Sequence, residues 1–338
     1  MSGEGLVPAS DPLALVDETR LDASEARYVA VARAANTLRG YRSDWAEWCA
    51  WCAEEGYEPL PASPEAISRY LVRLAGLGAK VGTMSRRLSA LRFAHRLRDL
   101  PDPTEAARVL AVWEGIRREH SAPPQQAKPL MPPELWQVLD ACPTMKHWRT
   151  PHRPPEPDLA GLRDRVLLLV GFVGALRRSE LAAIEVGQLS EHPEGLVLHL
   201  PRSKTNQAGE ETELVVLPRA SDPAHCPVTL VDQWRSQAGI SSGPLLRPVT
   251  KSNKAAARPL HPESINALVQ AAVARAGLDP TPYSAHSLRA GFVTYAHLQG
   301  ATDRAIAHQT RHRSLASVGT YIRVDTAWDD NAATQLGI

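Results

Sequence analysis

Five prolines crowd the thirteen residues SAPPQQAKPLMPP at 121–133. Each lacks the amide N–H that a helix or central strand needs and turns the residue before it away from the α conformation, so no regular element runs through this stretch. The chain is therefore expected to fold as two bodies, with 121–133 as the linker. At 338 residues and 43% apolar composition, each body can bury a core. A second proline cluster, TPHRPPEPD at 150–158, reads as a surface loop within the second body.

Between residues 27 and 119 the apolar spacing is helical. Thr37 to Glu55 sets Leu38, Tyr41, Trp45, Trp48 and Cys52 at steps of three and four, which gives one apolar face. Ser63 before Pro64 is a helix start for PEAISRYLVRLAG, and Gly76 and Gly78 close that helix. Thr83 is expected to cap MSRRLSALRFAHRLR, and 104–119 completes a four- or five-helix cluster. Ahead of it, residues 1–24 form an acidic tail expected to be disordered; residues 1–25 hold six acids and one base.

The second body, 134–338, opens with helices expected at 133–141 and 159–174. The latter holds VLLLVGFVGAL, apolar on every side and so buried. Then the period shortens: GLVLHLPRSKTNQAGEETELVVLP reads as strands at 196–200 and 213–217 across a long polar loop. Helices resume at 227–238, 262–276, 286–299, 302–309 and 314–322. The expected fold class is mainly α: an all-helical domain over 25–120, then a mixed, mostly helical domain with a small antiparallel β hairpin.

No run of about 18 apolar residues occurs, and the amino terminus is acidic and broken by proline, which argues against a membrane span or signal peptide and for a cytoplasmic protein. Cys49 and Cys52 form a C-x-x-C inside the helical WAEWCAWCAEE, but no second pair exists, so a helix core is favoured over a zinc or redox site. The net charge of +1 hides a segregation: residues 69–98 carry eight Lys or Arg and no acid. Such a run can be a solvated helix face, but thirty residues without a carboxylate favour a phosphate-binding surface.

Chemistry concentrates in the second body. GALRRSEL (174–181) sets Arg177 and Glu180 one helical turn apart, with Arg178 competing for the same role. Lys204 lies on the strand-to-strand loop, SAHSLRAG (284–291) holds His286 and Arg289, and TRHRSLASVGTYIR (310–323) holds His312 and, nine places on, Tyr321. Singly, each reads as a surface ion pair or a capping histidine.

In this order and spacing they resemble the active site of the tyrosine recombinase (phage integrase) family, and the likeness covers nearly the whole chain. It implies an N-terminal SAM-like core-binding domain and a catalytic domain that breaks and rejoins DNA. Tyr321 would be the nucleophile, Lys204 the acid for the departing 5′-oxygen, His286 the acid or base that shuttles the tyrosyl proton, and His312 a hydrogen-bond donor to the phosphate. Glu180 would orient a catalytic partner. The chemistry suits these types: a phenol with a pKa of ~10 needs activation, and the guanidinium forks of Arg177 and Arg289 match the non-bridging oxygens of a phosphodiester. Tyr283 and Tyr295 are read as packing residues. The family commonly has a glycine just before the His312 position, where this chain has Thr310 and Arg311.

Arg39, Arg42, Thr83, Arg86 and Arg87 are candidate DNA contacts in the first domain, and Arg258, Ser264 and Asn266 in the second. The resemblance further implies double-stranded DNA as partner, with no metal, ATP or other cofactor. It also implies a homotetramer on two DNA sites, joined by docking of the tail VDTAWDDNAATQLGI into a neighbour, and a monomer in free solution. Two other outcomes stay open: a type IB topoisomerase or telomere resolvase, and a DNA-binding protein that keeps the fold without catalysis.

Overall fold

The computed structural model describes residues 35–122, 126–149, 153–201 and 212–311. It divides into two units, Met1–Pro124 and Gln125–Ile338.

The first unit is helical throughout its described residues. Helices α1 (Ala35–Glu55), α2 (Pro64–Gly76), α3 (Val81–Leu97) and α4 (Ala107–His120) are joined by short turns, with a 3-10 turn at Pro103–Glu105. The apolar stripe of α1 becomes the core: Trp45, Trp48, Trp51 and Cys52 meet Ile67, Tyr70 and Leu71 of α2 and Met84, Leu88 and Leu91 of α3. Ser63 caps α2 as its sequence suggests, its hydroxyl accepting from Ala66 N. Thr83 does not cap α3. Gly78, at φ +74, ends the preceding helix so tightly that only Ala79 and Lys80 remain to turn the chain, and α3 starts at Val81. The C-x-x-C is part of the helix core: burial pushes the Cys49 thiol up to about 11 and the Cys52 thiol up to about 12, which disfavours the thiolate that metal or redox chemistry needs.

The second unit is built around α6 (Leu159–Val173), apolar on all sides, as its composition predicts; Val166 to Val170 are all buried. Around it lie α5 (Glu134–Asp140), α7 (Arg178–Ala182), α8 (Pro227–Gln237), α9 (Pro262–Arg275), α10 (Ala285–Leu298) and α11 (Asp303–Thr310). Strands β1 (Met145–Lys146) and β2 (Glu156–Pro157) pair antiparallel, so the end of the second proline cluster is a strand rather than loop. The hairpin predicted over 196–217 is real and gains a third strand: β3 (Leu189–His192), β4 (Gly195–Leu200) and β5 (Glu213–Pro218) form an antiparallel sheet in that order. Val215 and Leu217 turn into the core, while Leu214 and Val216 face out. The helix expected over 314–322 lies outside the described residues.

The later half of the proline-rich segment belongs to this second unit. Lys128 N donates to Pro282 O and Leu130 N to Ser287 O, and Leu130 is fully buried against α10. Proline removes donors but leaves these two amides free to tack an extended strand of chain onto the start of a helix. The fit is close: a Cβ on Gly291 would lie 2.0 Å from Leu130 O. Gly291→Ala is therefore expected to destabilise the protein by about 1–3 kcal/mol through overpacking, read as a fall in melting temperature. An unchanged melt would mean that the two segments are not in register.

Candidate active site

Arg177 is the N-cap residue of α7, and it is half-buried. Its N–H donates to Glu180 Oε2 at 2.9 Å and its Nη1 to Glu180 Oε1 at 2.7 Å, so one carboxylate fixes both the backbone and the guanidinium. Arg178 turns the other way and grips Glu263 with both Nη atoms at 2.9 Å. Of the two adjacent arginines, it is Arg177 that shares Glu180.

Glu180 is buried, and burial drives it toward the neutral acid. The Arg311 guanidinium, then the N–H and charge of Arg177, outweigh this and hold the carboxyl below its usual range. It is a carboxylate shared by two guanidiniums.

Arg289 sits on α10, seated closely against α6: a Cβ on Gly171 would lie 2.7 Å from Leu288 Cδ1. Only 1% of Arg289 is exposed. Its Nη1 donates to Ala175 O and its Nη2 to Thr310 O, both at 2.6 Å. Ala175 has φ +45, so the turn that carries Arg177 is held in a strained conformation by the second arginine. The sequence separates these partners by more than a hundred residues. The fold brings them to one point.

His286 is exposed in the first turn of α10, one helical turn from Arg289. Ser284 caps the helix, its hydroxyl accepting from His286 N at 3.2 Å, while Ala285 N donates to Asn266 Oδ1 at 2.9 Å. His286 lines a cavity of about 580 Å³ with Lys128, Met131, Glu134, Ala290 and Thr294. Tyr283 is buried beside it with its hydroxyl donating to Glu134 Oε2 at 2.8 Å, and Tyr295 packs near Phe172, so both are packing residues. Lys204, His312 and Tyr321 lie outside the described residues. Among the described residues, no group of three His, Cys, Asp or Glu is placed to hold a metal ion.

Arg311 is the residue that sequence reasoning passed over. It appears there only as a departure from glycine, whereas it occupies the left-handed turn at the end of α11, φ +57 and ψ +44, with its side chain buried. Its Nη2 donates to Glu180 Oε2 at 2.7 Å. No local pattern announces an ion pair between residues 131 places apart.

Residues 145–327 match the phage integrase family, and residues 26–97 match the phage integrase N-terminal SAM-like domain. An integrase/recombinase xerD homolog from Selenomonas ruminantium is 33% identical over 320 residues, covering 94% of this chain and 90% of that protein. This chain belongs to the phage integrase family. Another relative, recombinase cre of Escherichia phage P1, is 28% identical over 188 residues, 54% of this chain and 50% of that protein. The fold is similar to that of the XerH site-specific recombinase solved bound to difH substrate in a pre-cleavage complex, with a TM-score of 0.57 at 15% identity, covering 89% of this chain and 81% of that one.

The basic face of this integrase is less free than its sequence implies. Carboxylates from outside the run neutralise five of the eight cations of residues 69–98: Arg69 pairs with Glu65, Arg73 with Glu54 and Glu55, Arg86 with Asp44, Arg87 with Glu47, and Arg92 with Asp102. Of the candidate contacts, Arg39, Arg42, Arg86 and Arg258 are exposed, Thr83, Arg87 and Ser264 half-buried. Asn266 is also half-buried, its side-chain oxygen engaged by the start of α10. Arg87 is held by Tyr70 and Glu47.

Proposed function

We propose that this integrase is a site-specific DNA recombinase that cuts and rejoins double-stranded DNA through a 3′-phosphotyrosine on Tyr321, without ATP or metal. The observation that carries this is the pair of arginines from separate elements, Arg177 and Arg289, drawn together at the Ala175 turn, with Arg177 held by Glu180 and Arg289 by the carbonyls of Ala175 and Thr310. Two planar, permanently charged forks in one network suit the oxygens that gain charge as a nucleophile attacks phosphorus. His286 stands beside them, suited to move the tyrosyl proton, and Lys204 supplies the proton for the departing 5′-oxygen. His312 donates to the phosphate. Because the phosphotyrosine keeps the energy of the broken phosphodiester, ligation is the same step reversed.

DNA is met by the exposed Arg39, Arg42, Arg86 and Arg258 and by Thr83, Arg87, Ser264 and Asn266 around them. Four copies assemble on two sites, each tail entering a neighbour. An open apolar groove lined by Val173, Val216, Pro218, Phe292 and Ala305 supports this assembly, because it leaves carbon surface for a tail carrying Trp328 and Leu336. DNA as substrate makes the bacterial or phage-infected cytoplasm the place of action.

The test is a nicked substrate whose cut strand end diffuses away, incubated with the protein in EDTA. A covalent protein–DNA adduct attached through tyrosine at a 3′-phosphate is expected. A break that needs divalent metal, or leaves no attached protein, overturns the proposal. Relaxation of plasmids lacking a specific site would assign the chemistry to a topoisomerase instead.

A further inference from the structure

Arg311 holds a buried guanidinium on a strained turn, and nothing in the recombinase chemistry accounts for it. A non-glycine residue at φ +57 persists only where its surroundings over-determine it. Here they do. Its side chain is 4% exposed; Nη2 donates to Glu180 Oε2 at 2.7 Å, Nη1 to Gln309 O at 3.0 Å, and Nε lies 3.3 Å from Glu213 Oε2. Glu213 opens β5, the strand into which the Lys204 loop runs, and residue 312 follows Arg311 directly.

We propose that Arg311 is a positioning residue of the active site, acting through Glu180 on Arg177. The sharing of Glu180 decides it. Arg311 takes Glu180 Oε2 and Arg177 Nη1 takes Oε1, so the carboxylate is divided between two guanidiniums and Arg177 can lend the rest of its fork to a phosphate. Without Arg311, the local positive charge falls by one where the phosphate lands. Both Glu180 oxygens would then be able to close on Arg177, and a carboxylate that takes a bidentate arginine competes directly with a phosphate for it. The same side chain ties the base of the Lys204 loop to this cluster.

The inference rests on the recombinase reading, so the wild type is measured first: no adduct from the wild-type protein would sink that reading, not this one. Given an adduct, Arg311→Met is expected to slow its formation at saturating DNA roughly 10- to 100-fold, the range seen when an outer hydrogen-bonding partner is lost, with DNA affinity within about twofold of wild type. Arg311→Gly, which suits the left-handed turn, is expected to cleave as slowly as Arg311→Met while melting closer to wild type. Adding Glu180→Gln to Arg311→Met is expected to restore several-fold of the lost rate, because the carboxylate that would close on Arg177 goes with it. Wild-type cleavage by Arg311→Gly would reduce Arg311 to a turn residue, and a further loss in the double variant would mean that it acts only through packing. Either result overturns the proposal.

Discussion

Replacing Arg289 with alanine is expected to slow covalent complex formation by about 10² or more, as loss of one pre-positioned oxyanion donor does, and also to lower the melting temperature. Arg177→Ala should cut the rate as deeply with a smaller thermal cost. The difference follows from what each guanidinium holds. Arg289 is buried and satisfies the carbonyls of Ala175 and Thr310 at 2.6 Å each. Truncation leaves both buried oxygens without that donor, at a cost of about 1–3 kcal/mol apiece. Arg177 is partly exposed, and when its side chain is removed Glu180 still receives the Arg177 N–H and the Arg311 Nη2. Single-turnover cleavage beside thermal melts separates the two effects. An unchanged melt for Arg289→Ala would show that the guanidinium does not hold the two carbonyls, and unchanged cleavage would remove it from the site.

How far the sequence reveals this arrangement depends on the range of the interactions involved. Local and periodic features were legible: the Ser63–Pro64 start of α2, the all-apolar α6, the strands around the Lys204 loop, and the R-x-x-E pair, closed by one turn of chain. Features set by distant partners were not. The run 69–98 reads as uncompensated positive charge because Asp44, Glu47 and Asp102 lie outside it, yet folding carries them to within ion-pair distance. The depth of Arg289 is likewise invisible, since a phosphate-binding arginine looks like a surface residue until its carbonyl partners are known. Thr83 failed as a cap because the tight exit at Gly78 decides where α3 begins, and a favourable side chain two residues on cannot shift it. Arg311 is the plainest instance: a substitution at a turn, judged alone, looks like a loss of glycine, while folding pairs it with the same carboxylate that holds Arg177.

Tyr321→Phe should abolish the covalent adduct while leaving DNA affinity within about twofold, the largest effect expected of any single change. The variant keeps the ring and loses one oxygen, so shape and charge toward DNA are preserved and only the attacking atom is gone. Affinity is set by contacts to the phosphate backbone, and the basic residues proposed to make them are unchanged in the variant. Among the described residues, Tyr283 and Tyr295 are engaged elsewhere. The Tyr283 hydroxyl donates to Glu134, and burial pushes its phenol above the ordinary value, away from the phenolate that would attack. Tyr295 is half-buried against Phe172. Tyr283→Phe should accordingly leave the adduct intact, whereas an adduct surviving in Tyr321→Phe, with peptide mapping placing it on another side chain, would move the nucleophile and with it every role assigned around position 321. Glu180 holds the Arg177 guanidinium, and the carbonyls of Ala175 and Thr310 accept from that of Arg289, so on the proposed reading both forks are expected to keep a phosphate when the tyrosine changes; this pair of variants separates the attacking atom from the charge-stabilising forks.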